Sequence, residues 1–135
     1  MTATWQPAPI LFPDAEAVLV AAYRAALVAQ GEDDVRVDRK VPNPLPARLV
    51  AITRDGGTSQ GLVDRPRMRF RVFDTTEQDV DALARLVVAL AQRMAANGTV
   101  VRAAPESGPY GVPDASKRPH RYLLIEFTTR GELLP

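Results

Sequence analysis

The sequence predicts an α+β domain, a largely antiparallel sheet of about four to five strands with two helices packed on one face. Two segments, beginning near Asp14 and Thr76, have the apolar spacing of amphipathic helices and are bounded by capping residues. Several shorter segments alternate apolar and polar residues, as half-buried strands do. Segments rich in glycine and proline separate these elements, whose order is helix, three strands, helix and two strands.

The composition is typical of one globular domain over residues 1–135. The 17 Lys and Arg residues nearly cancel the 16 Asp and Glu residues, so the strong positive charge of a dedicated nucleic-acid-binding protein is absent. The lack of cysteine excludes disulfides and thiolate metal centres. No export signal or stretch of membrane-spanning length is recognisable, so we expect a soluble, unexported protein.

Residues 1–13 contain three prolines and Trp5, which predicts an irregular segment before the first helix. Asp14 is the expected N-cap of that helix, and Gly31 is its expected stop. The intervening residues are strong helix formers with a broad apolar face, so we expect the first helix to be covered on most sides.

A short strand is expected at residues 35–38, followed by an extended segment, residues 39–48, here called the proline arm. Its three prolines stand at alternate positions, Pro42, Pro44 and Pro46. Each proline fixes its own φ angle and removes a backbone donor, which disfavours a helix or a central strand. We expect the arm to project with free carbonyl groups and to lie along another surface, bracketed by the charges of Arg39 and Arg48.

Strands are predicted at residues 48–54 and 67–73, joined by a long, projecting hairpin loop at residues 55–66. In the second of these strands, three arginines alternate with the core residues, namely Arg67, Arg69 and Arg71. Their mutual repulsion requires water, carboxylates or phosphates nearby. The arginine ladder is therefore either a solvated outer face near Glu126, or a contact for an acidic partner subunit or for DNA.

The second helix is predicted from Thr76 to about residue 96, with a stop at Asn97 and Gly98. Its apolar stripe is expected to pack on the sheet. Leu86 and Val88 lie off that stripe, and a partner subunit would bury them.

The C-terminal part is predicted as a strand at residues 99–103, a long loop at 104–119, and a last strand at 121–129 that is buried on both faces at its centre. His120, the single histidine, is expected to be a solvated residue at the edge of that strand. No nucleophile is matched to it, and no phosphate-binding or metal-binding motif is present. We therefore expect no enzymatic activity, no cofactor and no metal.

The order of five features is informative: a helix opening FPDAEAVL, the stretch RKVPNPLPARLVAITRDGG, an arginine-bearing strand, a long helix, and an end reading HRYLLIEFTTRGELLP. Its most specific pieces are residues 42–46 with Arg48, residues 54–57, and residues 128–131. This order resembles the tail terminator, or neck, proteins of long-tailed bacteriophages and prophages of actinobacteria. The resemblance covers residues 11–131.

The resemblance implies a virion structural protein that assembles in the host cytoplasm as a ring, with a hexamer expected. Such a ring caps the tail tube, stops its polymerisation and presents its opposite face to the head connector. The implied partners are further copies of the chain, the tail tube protein, the connector or stopper protein and, passively, traversing DNA.

Within such a ring, the arm and hairpin are the expected donor surface, and the second helix is the expected acceptor. The residues predicted for subunit or partner contacts are Arg39, Pro42, Pro44, Pro46, Arg48, Arg54, Leu86 and Val88. Those predicted to face the lumen or DNA are Arg67, Arg69, Arg71, Arg118 and Arg121.

Two alternatives remain open at this point. A head-tail stopper or connector adaptor of the same neck shares the size and the ring-forming habit. A small ligand-binding or enzymatic α+β domain belongs to a different class, and a deep pocket would favour it.

Overall fold

The computed structural model describes residues 9–95 and 98–134. Trp5 and Asn97, expected to anchor the N-terminal segment and to stop the second helix, lie outside the described residues. Within those residues the chain forms two helices and seven strands. In chain order they are β1 (Ile10–Leu11), α1 (Ala15–Ala29), β2 (Arg36–Asp38), β3 (Leu49–Gln60), β4 (Val63–Phe73), α2 (Glu77–Met94), β5 (Val100–Gly111), β6 (His120–Arg130) and β7 (Glu132–Leu133).

Five strands form the main sheet, in the order β2-β3-β4-β6-β5. β2 pairs with β3 in parallel, and the other neighbours pair antiparallel. Both helices pack on one face of this sheet. The largest buried cluster lies between the helices and the sheet, and β4 contributes Met68, Phe70 and Val72 to this cluster. The predicted α+β class is confirmed.

Aromatic side chains join the two layers. Tyr23 of α1 is fully buried, and its hydroxyl donates a hydrogen bond to the Val87 carbonyl of α2 at 2.9 Å. Its ring meets Phe70 of β4 edge-on, with 5.3 Å between the ring centres, and Phe70 lies 6.2 Å from Phe127 of β6. Both helices and the strands β4 and β6 therefore share one packed centre.

The predicted helix boundaries agree with the observed caps. The Asp14 carboxylate accepts a hydrogen bond from the Ala17 amide at 3.1 Å, and the Thr76 hydroxyl accepts one from the Asp79 amide at 3.0 Å. Gly31, with a φ angle of 79°, follows α1 in the left-handed conformation that ends a helix.

The hairpin between β3 and β4 is a paired ribbon, so the prediction of a loop over residues 55–66 is wrong. Antiparallel pairing continues outward to Gln60 opposite Val63, which leaves Gly61 and Leu62 as the turn. The glycines that suggest a loop are instead needed for the geometry of the ribbon.

Gly57 shows this most clearly. The register of the hairpin shifts between Arg54 and Gly57, as at a β-bulge. Gly57 has a φ angle of 102°, and a Cβ atom there would lie 2.1 Å from the Arg65 carbonyl oxygen. Only glycine permits this close approach of the two strands.

The predicted loop over residues 104–119 is also too long. β5 continues to Gly111, so the loop comprises residues 112–119. Pro105 and Pro109 are tolerated because β5 lies at the edge of the sheet and pairs on one side, with β6. Three register shifts in that pairing accommodate the irregular backbone.

β6 is buried on one face rather than on both. Leu123, Ile125 and Phe127 face the helices and are fully buried, whereas Tyr122 and Leu124 on the other face are half-buried. The difference arises because both helices cover the same side of the sheet.

The segment before α1 is not irregular throughout, because Ile10 and Leu11 form β1 and pair antiparallel with β7. The Leu134 amide also donates to the Pro9 carbonyl at 2.9 Å. The two ends of the described chain are therefore held together beside the hairpin turn, where the Gly131 amide donates to the Leu62 carbonyl at 2.7 Å.

The proline arm lies against its own sheet, so the expectation of free carbonyls is wrong. The Arg39 carbonyl accepts a hydrogen bond from the Thr53 hydroxyl at 2.9 Å, and the Pro46 carbonyl accepts one from Arg118 at 3.3 Å. Val41 and Leu45 pack against a small buried cluster on the face opposite the helices. These apolar side chains alternate with the prolines, which explains why the arm turns inward.

The hairpin geometry makes a testable distinction between two glycines. Replacing Gly57 with alanine forces a steric clash with β4, so we expect a loss of unfolding free energy of roughly 2 kcal/mol or more. Gly61→Ala is the control, because Gly61 has a φ angle of 59° and an added Cβ would meet no atom within 4 Å, so we expect about 1 kcal/mol. Urea denaturation of both variants measures the difference, and equal losses would contradict the tight bulge.

Candidate interaction surface

The sheet face opposite the helices, here called the open face, is covered only in part by the described chain. Its side chains come from odd-numbered positions of β4 and the first half of β3, from even-numbered positions of β6, and from Arg102 and Tyr110 on β5. The arginine ladder is part of this face, as its alternation predicts.

One end of the open face is closed by the proline arm and by the loop at residues 112–119. Val41 and Leu45 of the arm pack on Leu49, Ala51 and Phe73 of the sheet. At this end the sheet residues are therefore covered by the chain itself, and a partner can reach only the outer sides of the arm and loop.

His120 belongs to the closed end, so its assignment as a solvated residue is wrong. It is 5% exposed, its ring lies 4.6 Å from the Phe73 ring, and its Nδ1 is 3.0 Å from the Val112 carbonyl. Burial, together with the nearby Arg71 guanidinium, lowers the pKa of His120 below its usual 6.5, although the Val112 carbonyl and Asp114 favour the proton. The histidine is thus a neutral packing residue that fastens the loop.

Arg71 is occupied at the same end. Its Nη2 donates to the Asp114 carboxylate at 2.7 Å, its Nε lies 3.4 Å from Nε2 of His120, and its guanidinium carbon lies 5.3 Å from the centre of the Phe73 ring. Hydrogen bonds from Ser116 and the charge of Arg71 lower the pKa of Asp114 below its ordinary value. This member of the ladder therefore holds the loop in place.

The other two ladder arginines lie beyond the closed end. Arg67 donates to the Asp55 carbonyl at 3.0 Å and lies 4.0 Å from the Glu106 carboxylate. The Nε of Arg69 is buried and has no hydrogen-bond partner among the residues that the structure describes. A buried donor without a partner costs stability, so this position of Arg69 is unfavourable for the folded chain itself.

Three further arginines join them, and we call the group the basic half of the open face. Its members are Arg65, Arg67, Arg69, Arg102 and Arg130. The sequence prediction missed Arg65, Arg102 and Arg130, because the first two lie in or beside predicted loops and the third lies beyond the predicted end of β6. Continuous alternation through the glycine-rich hairpin would have identified Arg65.

Arg118 and Arg121, predicted for the lumen, are occupied elsewhere. Arg118 donates to backbone carbonyls of the arm and to the Asp74 carbonyl at 3.4 Å. Arg121 lies on the helix side of the sheet and donates to the Glu77 carboxylate of α2 at 2.8 Å. The structure therefore places neither residue with Arg67 and Arg69.

Arg48 is the centre of a cluster of three carboxylates. It donates to Glu32 at 2.6 Å, to Asp34 at 2.7 Å and to the buried Asp74 at 2.9 Å. Burial lowers the pKa of Arg48, but the hydrogen bonds to Glu32 and Asp74 outweigh it and raise the pKa above the usual value. The acidic turn after α1 is thereby joined, through Arg48, to the segment just before α2.

Arg54 has a comparable internal role. Its guanidinium makes two hydrogen bonds to the Asp64 carboxylate, at 2.8 and 2.9 Å, and the Ser59 hydroxyl donates to the same group at 2.8 Å. Burial raises the pKa of Asp64, but the hydrogen bonds from Arg54 and Ser59 outweigh it and lower the pKa. Arg54 therefore joins the two strands of the hairpin.

The remaining predicted contact residues are also used within the chain. Arg39 donates to the Asp14 carboxylate, the cap of α1, at 2.6 Å. Leu86 and Val88 are half-buried and pack against the main core, so a partner is not required to cover them.

A separate apolar surface lies where the chain ends meet. Its members are the exposed leucines Leu11, Leu62, Leu133 and Leu134, which lie on both faces of the β1–β7 pair with the exposed Glu132 among them, and we call it the chain-end surface. Beside it, Phe12 and Val18 line a groove of about 330 Å³. Clustered exposed apolar residues are typical of sites for other proteins.

Comparison of the sequence with models of protein families gives no match, and comparison with curated proteins gives none. Neither helix in the described part of the chain is long and apolar enough to cross a membrane. Among residues 9–95 and 98–134, no three His, Cys, Asp or Glu side chains are grouped so that they could hold a metal ion.

The Arg48 cluster makes a quantitative prediction about stability. Arg48→Met leaves Asp74, whose side chain is 2% exposed, without its cation, so we expect a loss of about 3 kcal/mol of unfolding free energy. Arg36→Met is the matched control, because the Arg36–Asp38 pair is 55% and 37% exposed and is expected to contribute less than about 1 kcal/mol. Urea denaturation tests both, and similar losses would refute the structural role of Arg48.

The lowered pKa of His120 predicts a specific dependence of the unfolding free energy on pH. Because its pKa is lowered in the folded state, the unfolded chain binds the proton more readily, and stability falls as the pH drops below 6.5. Asp14, Asp64 and Asp114 have pKa values below their usual 3.8, so their stabilisation is lost only in more acidic solution. We expect the urea midpoint to decrease from pH 7.5 to pH 5.5, and to stay nearly constant in His120→Gln. An equal decrease in this variant would assign the effect to another group.

Proposed function

We propose that the protein is a virion structural subunit of a long-tailed phage or prophage. It forms a ring that caps the end of the tail tube, stops tube growth and joins the tail to the head connector. The order of elements supports this proposal, because the motifs that resemble tail terminators fall on α1, the proline arm, the β3–β4 hairpin, α2 and β6 of one α+β fold. The proposal contains no catalytic step.

The observation that carries the proposal is the presence of two unlike accessible surfaces on one small domain. The basic half of the open face presents five arginines, whereas the chain-end surface presents four leucines. A ring subunit needs two different patches for its neighbours and a further surface for the structure that it caps. An apolar surface of clustered leucines suits the tube, because its burial stabilises a contact without requiring matched charges.

Internal bracing of the candidate segments also supports a docking role. Arg71 and His120 fasten the loop at residues 112–119, and Arg118 fastens the arm. Segments that are already ordered lose little conformational entropy when a partner binds. The arm thus contributes a rigid surface rather than a flexible extension.

The proposal predicts binding to tail tubes. Purified protein, mixed with tubes of the phage or prophage that encodes it, is expected to label tube ends in electron micrographs and to stop the addition of tube subunits. Labelling of filled heads in place of tube ends would favour a head-tail stopper. Binding to neither would refute a neck function.

Two exposed apolar residues provide a matched comparison in that experiment. Leu133→Asp alters the chain-end surface, and Val28→Asp alters the end of α1. The two residues are similarly exposed, Leu133 at 61% and Val28 at 56%. Losing the burial of one leucine weakens binding by about 1.5 kcal/mol or more, so we expect Leu133→Asp to lower tube-end affinity at least tenfold. Val28→Asp is expected to bind like the unaltered protein. Equal affinities of both variants would remove the chain-end surface from the tube contact.

A further inference from the structure

We propose that the basic half of the open face binds an acidic surface at the opposite end of a second copy of the chain, so that neighbours join head to tail. This inference rests on the proposed ring and specifies which surfaces meet. The acidic surface, here called the acidic end, consists of Asp33, Asp34, Glu77, Asp79 and Asp81.

The basic half has an excess of positive charge that the described chain does not neutralise. Its five arginines face two carboxylates, Glu106 and Glu126. Among the described residues, the one ion pair of this group joins Arg67 and Glu106 at 4.0 Å, with both side chains substantially exposed. By the strand register, Arg130 lies at one edge of the group and Arg69 at the other, next to the closed end, with Arg65, Arg67 and Arg102 between them.

Two carboxylates of the acidic end have the converse arrangement, because they lie outside the arginines that bind them, whereas Asp81 pairs with the more exposed Arg85 at 3.3 Å. Asp34 is 68% exposed above Arg48, which is 21% exposed. Glu77 is 72% exposed above Arg121, which is 16% exposed. A partner therefore meets the negative charges first, and Asp33 and Asp79 add two further exposed carboxylates.

The two surfaces are too far apart to neutralise each other within one subunit. The acidic end adjoins Asp74, directly after β4, whereas Arg65 lies near the start of the same strand. At about 3.3 Å per residue, Arg65 lies roughly 30 Å from Asp74, and Arg69, the nearest arginine of the basic half on this strand, lies roughly 17 Å from it, which is about twice the screening distance in physiological salt. The two surfaces also belong to opposite layers of the fold. A contact between them is heterologous, the type that closes into a ring.

The composition of the basic half favours a protein over a nucleic acid. Glu106 and Glu126 lie among the arginines and would repel a phosphate backbone. Tyr122 and Leu124 are half-buried in the same face and offer apolar area that a phosphate backbone would not cover. The net charge of the chain is only +1, so no general attraction to polyanions adds to the local charge.

Charge reversal tests the contact in solution, without tail tubes. The basic-reversed variant is Arg65→Glu with Arg102→Glu, and the acid-reversed variant is Asp33→Lys with Asp79→Lys, all at exposed positions. We expect the unaltered protein to self-associate in 50 mM salt, as measured by sedimentation velocity and native mass spectrometry. Each variant alone is expected to associate at least tenfold more weakly.

Recovery of association distinguishes a specific contact from general damage. An equimolar mixture of the two variants places opposite charges at every junction of an alternating, even-numbered ring, so association is expected to return. The chain carrying all four changes is expected to associate with itself. Lys40→Glu with Arg93→Glu, which makes the same change in net charge as the basic-reversed variant at exposed positions outside both surfaces, is expected to behave like the unaltered protein.

Several results would overturn the inference. The inference fails if the unaltered protein is monomeric at every concentration, or if both variants associate as strongly as it does. It also fails if association does not return in the mixture of the two variants and in the chain with all four changes. The basic-reversed variant could also associate normally but no longer bind a double-stranded DNA fragment that the unaltered protein binds. That result would assign the basic half to nucleic acid instead. Because tubes are absent here, each of these results is independent of the tube-capping measurement.

Discussion

The two-sided alternation of β4 is the constraint on which the rest of the structure depends. This strand is paired on both sides, with β3 and β6, so a shift of one residue would exchange its two faces. Met68, Phe70 and Val72 are fully buried against the helices, which excludes such a shift. The core thereby fixes the arginines of β4 on the opposite face, and the position of the basic half follows from hydrophobic packing.

Arginine–carboxylate pairs then join segments that the apolar core does not hold. Arg48 connects the turn after α1 to the start of α2, Arg54 joins the two strands of the hairpin, and Arg71 fastens the loop beside His120. Bidentate or multiple hydrogen bonds of this kind are directional, so each pair fixes one geometry. The positive and negative charges of the chain are nearly equal in number. Some of them pair with each other at these sites, and others lie in separate patches of opposite sign.

The unequal use of arginines explains how a chain with balanced charge can still present charged surfaces. Arg48 and Arg121 are buried below their carboxylates, so the end that they support is acidic. Arg65, Arg102 and Arg130 lie exposed on the open face, so that face is basic. The chain-end surface adds apolar contact area, with the exposed Glu132 among its leucines. This division gives a small subunit several chemically distinct sites for neighbours.

The sequence by itself determined the fold class, both helix caps, the core face of β4 and the direction of the arginine ladder, because these depend on local periodicity and on side chains a few residues apart. It did not determine the ends of β3 and β5, since glycine and proline predict loops unless the neighbouring strand is known. Nor did it separate Arg71, Arg118 and Arg121 from Arg67 and Arg69. Only the tertiary structure decided which arginines are held by partners within the chain. The carboxylates and carbonyls that bind Arg71, Arg118 and Arg121 are distant in the sequence, and ion pairing has no sequence period.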